Sequence, residues 1–276
     1  RDLRMSRGLG DVYKRQQMVK GLYTAYTGMI NEQNRMDIMT NNLANASTVG
    51  YKKEGSTSQS FDDVLTVKIK DQSVGMRNVQ RLGVKNPGVK IGENYTDYSQ
   101  GSFRITGNTY DLALSGEGFF AIEFTNKAGE TDTKYTRAGQ FTLNKDGYLV
   151  TEEGDYVLDT QNRRIRLNTL IDSSITDDGT IYQNGQAVAK IQVTDFEDYD
   201  YLEKYGETYY QPIQGAKTIA AKAQVKSGYL EMANVQIVSE MVNLISITRA
   251  YESNQKVVQT IDDTLDVAVN QIGRVQ

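Results

Sequence analysis

The sequence predicts an α+β protein: N- and C-terminal helices forming a coiled-coil-like domain, and a β-rich central domain built as a curled sheet or open barrel. Three observations predict it. Apolar residues recur at alternating steps of three and four near both ends. Short apolar runs separated by Gly, Asn and Asp fill the middle. Of 276 residues only 2 are Pro, and neither lies in the end segments.

Residues 1–17 carry five basic and two acidic residues and no apolar run, so they lack the core of a cleavable signal peptide. They resemble translated adapter sequence, and Met18 reads as a fresh start, so 1–17 is expected to be a non-native leader. Segments 18–50 and 230–276 are expected to form one terminal helical domain. Residues 51–98 read as a weakly structured linker, and 99–229 as the β-rich domain.

A helix is expected over 19–45. Leu22, Tyr26, Met29, Gln33, Met36, Thr40 and Leu43 follow steps of four and three, with Ala25 and Ile30 widening the stripe. It ends in Asn41-Asn42-Leu43-Ala44-Asn45, whose amide side chains compete for backbone hydrogen bonds. Next, Phe61, Val64, Leu65, Val67 and Ile69 suggest a short helix or a strand pair, and 75–92 reads as extended chain turning at Asn86-Pro87-Gly88.

From 99 to 225 the chain reads as β. Phe119–Phe124 follows a Gly116-Glu117-Gly118 turn, read as a tight hairpin rather than a phosphate loop, because a strand and not a helix follows. Phe141–Leu143 and Tyr148–Val150 flank Asn144–Gly147, and Tyr156–Leu158 follows a turn at Glu153-Gly154-Asp155. Asn184-Gly185, between Ile181–Gln183 and Gln186–Val188, is the strongest hairpin signal.

The last helix is expected over 232–275. Met241, Leu244, Thr248, Tyr251, Gln255 and Val258 keep the heptad steps, and Ile261 and Leu265 resume them after a three-residue step that breaks phase like a stammer. That break implies a change of partners along the helix. Val235, Val238, Val242 and Ile245 form a second apolar face, so the helix wants more than one neighbour. On periodicity alone, a polymerising helix pair and an internal two-helix brace both remain open. Gln33 and Thr40 either set register or face a wet channel.

Composition narrows the chemistry. His, Cys and Trp are absent. The usual neutral-pH base, the thiol nucleophile and the common zinc ligands are therefore missing. A net charge of −4 invites no nucleic acid, and no apolar run is long enough to insert into a membrane. Two carboxylates among Asp195, Glu197, Asp198 and Asp200 could serve as acid and base in a hydrolase acting on glycan, but a solvated loop whose Tyr side chains pack on the β body is the expected reading. Asp177-Asp178-Gly179 lacks calcium-loop spacing. No catalytic residue, cofactor or metal is expected.

Four blocks, in order, carry a resemblance. They are Gly21–Met29 with Asn41–Lys53; Ser99–Phe120; Tyr135–Phe141 continuing to Asp146–Val150; and Asn234-Val235 with Arg249-Ala-Tyr-Glu-Ser-Asn254. Together they resemble the flagellar basal-body rod and hook axial proteins. The resemblance implies a structural subunit of the basal-body rod, the axial drive shaft that passes torque from motor to hook. It implies export through the flagellar type III apparatus without a cleaved signal peptide. The implied partners are copies of itself, other rod and hook axial proteins, and the export apparatus. On this reading the assembly residues are Leu22, Tyr26, Met29, Met36, Asn41, Asn42, Leu43 and Asn45, with Val238, Met241, Leu244, Tyr251, Val258 and Leu265. The length fits a rod subunit better than a hook subunit. Proximal and distal rod types both stay open, the ending Asn270–Gln276 and the Tyr-rich insert inclining towards the proximal. One departure is Ala233, where the family commonly has Ser. The alternatives are a hook-type subunit and, in a different class, a monomeric surface-binding module, which would bury its terminal helices within one chain.

Overall fold

The structure is a computed structural model that describes residues 2–62, 64–69, 79–126 and 129–272, with side chains for 20–62, 86–126, 129–267 and 270. It is α+β, with a helix at each end and a β-rich body between them. The chain divides into two compact units. Unit 1 is Arg1–Asn41, Glu54–Tyr95 and Val238–Gln276; unit 2 is Asn42–Lys53 and Thr96–Ile237.

Unit 1 holds α1 (Asp2–Ala44) and α2 (Ile237–Ile272). Helical backbone thus runs on upstream of the expected start at 19. The two helices are antiparallel neighbours. A Cβ placed on Gly21 would sit 3.6 Å from Ile261 Cδ1, and one on Gly28 would sit 2.9 Å from Asn254 Nδ2, so one heptad up α1 is one heptad down α2. The other side of α1 meets extended chain. Thr24 Oγ1 donates to the Pro87 carbonyl at 3.0 Å, Asn31 and Ser58 exchange side-chain hydrogen bonds at 3.0 and 3.1 Å, and the Tyr23 and Phe61 rings lie 6.3 Å apart. That chain forms two ladders, β1 (Glu54–Ser60) with β4 (Val89–Thr96) and β2 (Val64–Ile69) with β3 (Val79–Lys85). The choice between helix and strand at 64–69 goes to strand. Val64, Val67 and Ile69 are β-branched, and pairing with β3 supplies hydrogen bonds that a short isolated helix would leave open.

Unit 2 is antiparallel β. Its strands are β5 (Phe103–Ile105), β6 (Leu112–Ser115), β7 (Phe119–Thr125), β8 (Thr131–Thr136), β9 (Phe141–Leu143), β10 (Leu149–Thr151), β11 (Tyr156–Val157), β12 (Ser173–Ile175), β13 (Thr180–Gln183), β14 (Gln186–Lys190), β15 (Val193–Phe196), β16 (Leu202–Tyr205), β17 (Tyr209–Pro212), β18 (Thr218–Ala220), β19 (Gln224–Ser227) and β20 (Tyr229–Glu231). A nine-stranded sheet runs β16-β17-β8-β7-β11-β10-β9, with β15 on β7 and β18 on β15. Strand β7 is buried on both faces because successive side chains point oppositely. Phe120 packs with Leu112, Leu114 and Phe141, while Phe119 packs with Tyr135, Phe196 and Tyr210. The hairpin at Asn184-Gly185 forms as read. Both residues take positive φ (50° and 76°), and Gln183 pairs with Gln186. The turn at Asn144–Gly147 also closes a hairpin, with Asn144 Oδ1 accepting from the amides of Asp146 and Tyr148.

Two expectations change. Gly116-Glu117-Gly118 is not a hairpin, because β6 pairs with β19 whereas β7 pairs with β8, β11 and β15. It is a corner by which the chain leaves one sheet for another, and both glycines take positive φ (116° and 136°). The last helix starts at Ile237 and not at 232. The Met232 amide is held by the Ser102 carbonyl and the Asn234 side chain is bound to the chain at 53 and 97–99, which keeps this stretch extended.

Candidate assembly interface

The inward stripe of α2 runs Glu240, Leu244, Ile247, Tyr251, Asn254, Val258, Ile261 and Leu265, all buried or half-buried. Its steps are four and three throughout, so the stammer disappears. Of the heptad positions read from sequence, Leu244, Tyr251, Val258, Ile261 and Leu265 lie on this stripe. Glu240 and Asn254 point inward where Met241 and Gln255 are exposed, and Ile247 is buried beside the half-buried Thr248. On α1 the face opposite α2 is marked by Gly21, Ala25 and Gly28, again one residue before Leu22, Tyr26 and Met29. Leu22, Met29 and Met36 border it half-buried, while Tyr26 is exposed. The physical reason is that the seam uses a glycine and an amide. Gly28 leaves space that the Asn254 side chain fills, and hydrophobicity cannot register either residue as a contact.

Met241, expected in the seam, instead lies outward with Val238, Val242 and Ile245 of the second apolar face. Val238 is 77% exposed, Met241 50%, Val242 58% and Ile245 53%, in an i, i+3, i+4, i+7 pattern that makes one face. The same face continues in exposed charge, as Arg249, Glu252, Lys256 and Asp263. On α1, Tyr23, Tyr26 and Ile30 are exposed together and give way to Gln33, Asp37 and Thr40. A helix that keeps apolar residues outward in a single chain has more apolar face than that chain can cover.

In unit 2 the Asn-rich segment is hydrogen-bonded within the chain. Asn42 is buried and accepts from the Tyr51 hydroxyl at 3.0 Å. Asn45 accepts from Thr48 Oγ1 and donates to Glu207 at 2.7 Å. Asn41 and Leu43 are half-buried beside them. The polar cluster that sequence reading missed follows directly. Lys52 and Glu231 are fully buried, with Lys52 Nζ 2.5 Å from Glu231 Oε1 and 2.8 Å from the Ser99 carbonyl. Arg137 Nη1 lies 3.3 Å from Glu231 Oε2. Burial foremost holds the Lys52 ammonium below its usual range, the Glu231 carboxylate opposes that, and Arg137 adds to it. Burial pushes Asp97 up, but the Ser99 amide and hydroxyl and the Lys53 ammonium outweigh it, so the carboxyl sits below its usual range. The one signal available in sequence was a carboxylate, Glu231, between Leu230 and Met232 in an apolar strand.

The acidic Tyr-rich stretch is a structural turn. Asp195 Oδ1 accepts from the Tyr199 hydroxyl and the Phe196 amide, Asp198 caps a single 3-10 turn, and Glu197 pairs with Lys217. Burial, then the hydrogen bond to Asp195, raises the Tyr199 hydroxyl pKa. Among the described residues no cluster of three or more acidic, His or Cys side chains gathers as a metal would require, and no helix is long and apolar enough to cross a membrane.

The sequence matches three known protein families. Residues 22–52 match the family described as flagella basal body rod protein, 113–185 the flagellar hook protein FlgE/F/G D1 domain, and 226–272 the flagellar basal body rod FlgEFG protein C-terminal family. Flagellar basal-body rod protein FlgG of Bacillus subtilis (strain 168) is 34% identical over 272 residues, covering 92% of this chain and 99% of that protein. Flagellar basal-body rod protein FlgF of Caulobacter vibrioides is 32% identical over 260 residues, covering 94% and 100%. Flagellar hook-basal body complex protein FlhO of Bacillus subtilis is 30% identical over 272 residues, covering 94% and 100%. The chain belongs to the flagellar basal-body rod protein family, and is a non-enzymatic structural subunit of the rod.

Proposed function

We propose that the outward faces of α1 and α2 are the surfaces by which copies of this chain, and other rod and hook axial proteins, pack into a shaft that transmits torque. The terminal helices then act as a coiled-coil-like domain shared among neighbours, and the β body, a curled open sheet, adds lateral contacts. Export through the flagellar type III apparatus without a cleaved signal peptide completes this reading, as the resemblance implies. The observation that carries it is the exposed stripe Val238, Met241, Val242 and Ile245. Burying the exposed half of each such side chain would contribute on the order of 1 kcal/mol. Repeated over many neighbours, that suffices for a stiff polymer without covalent links.

Replacing Val238 and Val242 together with Asp tests it. The purified chain is expected to keep its fold, because both side chains are already wet. Basal bodies isolated from cells carrying only this version are expected to lack rods, and the cells not to swim. Rods of normal length in those cells would sink the proposal. Met36→Asp, at the half-buried border of α1, and Leu265→Asp, on the inward stripe of α2, are expected to block incorporation in the same assay as well.

A further inference from the structure

The buried polar cluster joins three segments far apart in sequence: 50–53, 97–102 and 231–234. Glu231 serves all three. Its Oε1 accepts from Lys52 Nζ and from the Gly101 amide at 3.0 Å, and its own carbonyl accepts from the Gly50 amide at 2.8 Å. Asn234 repeats the pattern. Its Oδ1 accepts from the Lys53 amide at 2.8 Å, and its Nδ2 donates to the Asp97 carbonyl at 2.7 Å and to Ser99 Oγ at 3.0 Å. The Asp97 amide closes the ring on the Lys53 carbonyl at 2.9 Å. Lys53, Thr96 and Ile237 are three of the four residues at which the backbone of unit 2 meets unit 1, the fourth being Asn42. Each of the three segments therefore sits within a few residues of such a passage.

We propose that Glu231 and Asn234 are positioning residues that lock these three segments into one clasp, which opens only as a unit and through which torsional load enters the β body. The charge arrangement supports a unitary clasp. One carboxylate faces two cations, and the side chains of Lys52, Glu231 and Arg137 are 0%, 0% and 4% exposed. Withdrawing 50–53 or 231–234 would break the buried ion pair, and withdrawing 97–102 would take the Ser99 carbonyl from Lys52 and the Gly101 amide from Glu231. A chain anchored at one of three points would turn about it, whereas three tied points resist twist. The mechanical role rests on the rod reading above, but the clasp itself does not.

Asn234→Ala, made in the full chain, tests it by hydrogen exchange read amide by amide. Only the Lys53 amide loses its acceptor directly. A clasp that opens as a unit is expected to speed exchange at Gly50 and Gly101 as well, by about tenfold, with the β7 amides unchanged. Faster exchange confined to Lys53 would overturn the proposal. Should that variant not fold, Ser99→Ala removes only the hydroxyl and is read the same way, with spread to Gly50 and Gly101 expected and confinement near 97–99 overturning it. In cells, clasp variants are expected to build rods of normal length, yet swimming speed should fall more steeply with viscosity than in the wild type. An unchanged viscosity response overturns the mechanical role. Rod length separates this result from failure of the assembly reading.

Discussion

In unit 2, Leu112, Leu114, Phe119 and Phe120 have no exposed surface, and the aromatic rings around Phe119 close on one another at 5.3–6.1 Å. In unit 1, Val238, Met241, Val242 and Ile245 stay half or more exposed, while a glutamate and an asparagine occupy inward positions of the seam. The difference teaches where stability and function are placed. Unit 2 closes a core within one chain, although Ile105 and Leu170 stay exposed, so most of its cost of folding is met locally. Unit 1 leaves a contiguous apolar stripe unsatisfied, which a lone domain would avoid and a polymer subunit uses.

The largest effect that would test this contrast lies in the β core. Phe119→Ala is expected to cost about 3–5 kcal/mol in denaturant unfolding, since a fully buried ring would leave a cavity among Tyr98, Phe196, Tyr199 and Tyr210. A loss under about 1 kcal/mol would mean unit 2 is packed as loosely as unit 1. Two glycines sharpen the comparison further. A Cβ at Gly139 would overlap the Leu112 carbonyl oxygen, so backbone must shift, and Gly139→Ala is expected to cost about 1–3 kcal/mol. At Gly28 the nearest atom is the movable end of Asn254, and helix propensity favours alanine. Gly28→Ala is therefore expected to change stability by no more than about 1 kcal/mol in either direction. Equal losses at the two sites would erase the distinction.

Acid gives a smaller, graded effect on unit 2. Hydrogen bonds from Arg164 hold Glu123 below the usual carboxylate range, and Asp97 is held low as described. A carboxyl with a depressed folded pKa contributes stability that is complete above its unfolded pKa and is lost as pH falls through the folded value. Unfolding midpoints are thus expected to fall once pH drops below about 4, more in wild type than in Arg164→Met. Identical pH profiles for the two proteins would remove the Arg164 contribution. The smallest effect is on unit 1: Val242→Asp in the isolated chain is expected to alter stability by less than about 0.5 kcal/mol, because the site is already in water. A loss of several kcal/mol would show that the stripe is buried in the free chain after all.

Much of the fold was legible where its causes are local. Asn184-Gly185 and Asn144–Gly147 turn as read because positive φ and a side-chain acceptor act within four residues. Leu244, Tyr251, Val258 and Leu265 face inward because heptad spacing alone places them on one face. The alternate seam positions slipped by one residue. Periodicity selects the more apolar of two neighbours, whereas the helix pair took Glu240, Ile247 and Asn254 and left Met241 outward. The corner at Gly116–Gly118 also looked like a hairpin, since local sequence shows a turn but not which sheet receives the next strand.

By itself, then, the sequence determined two heptad-patterned end helices, short strands with their turns, and, through four ordered blocks, a rod protein. Those properties depend on residues within a few positions of one another or on motif order. Only the tertiary structure decided which apolar residues remain outward and which polar ones go inside. The partners of Lys52 and Lys53 lie 179 and 181 residues away, at Glu231 and Asn234. No periodicity spans that distance. A buried carboxylate or amide is favourable only when the fold delivers its donors, and that delivery is settled by packing of the whole chain.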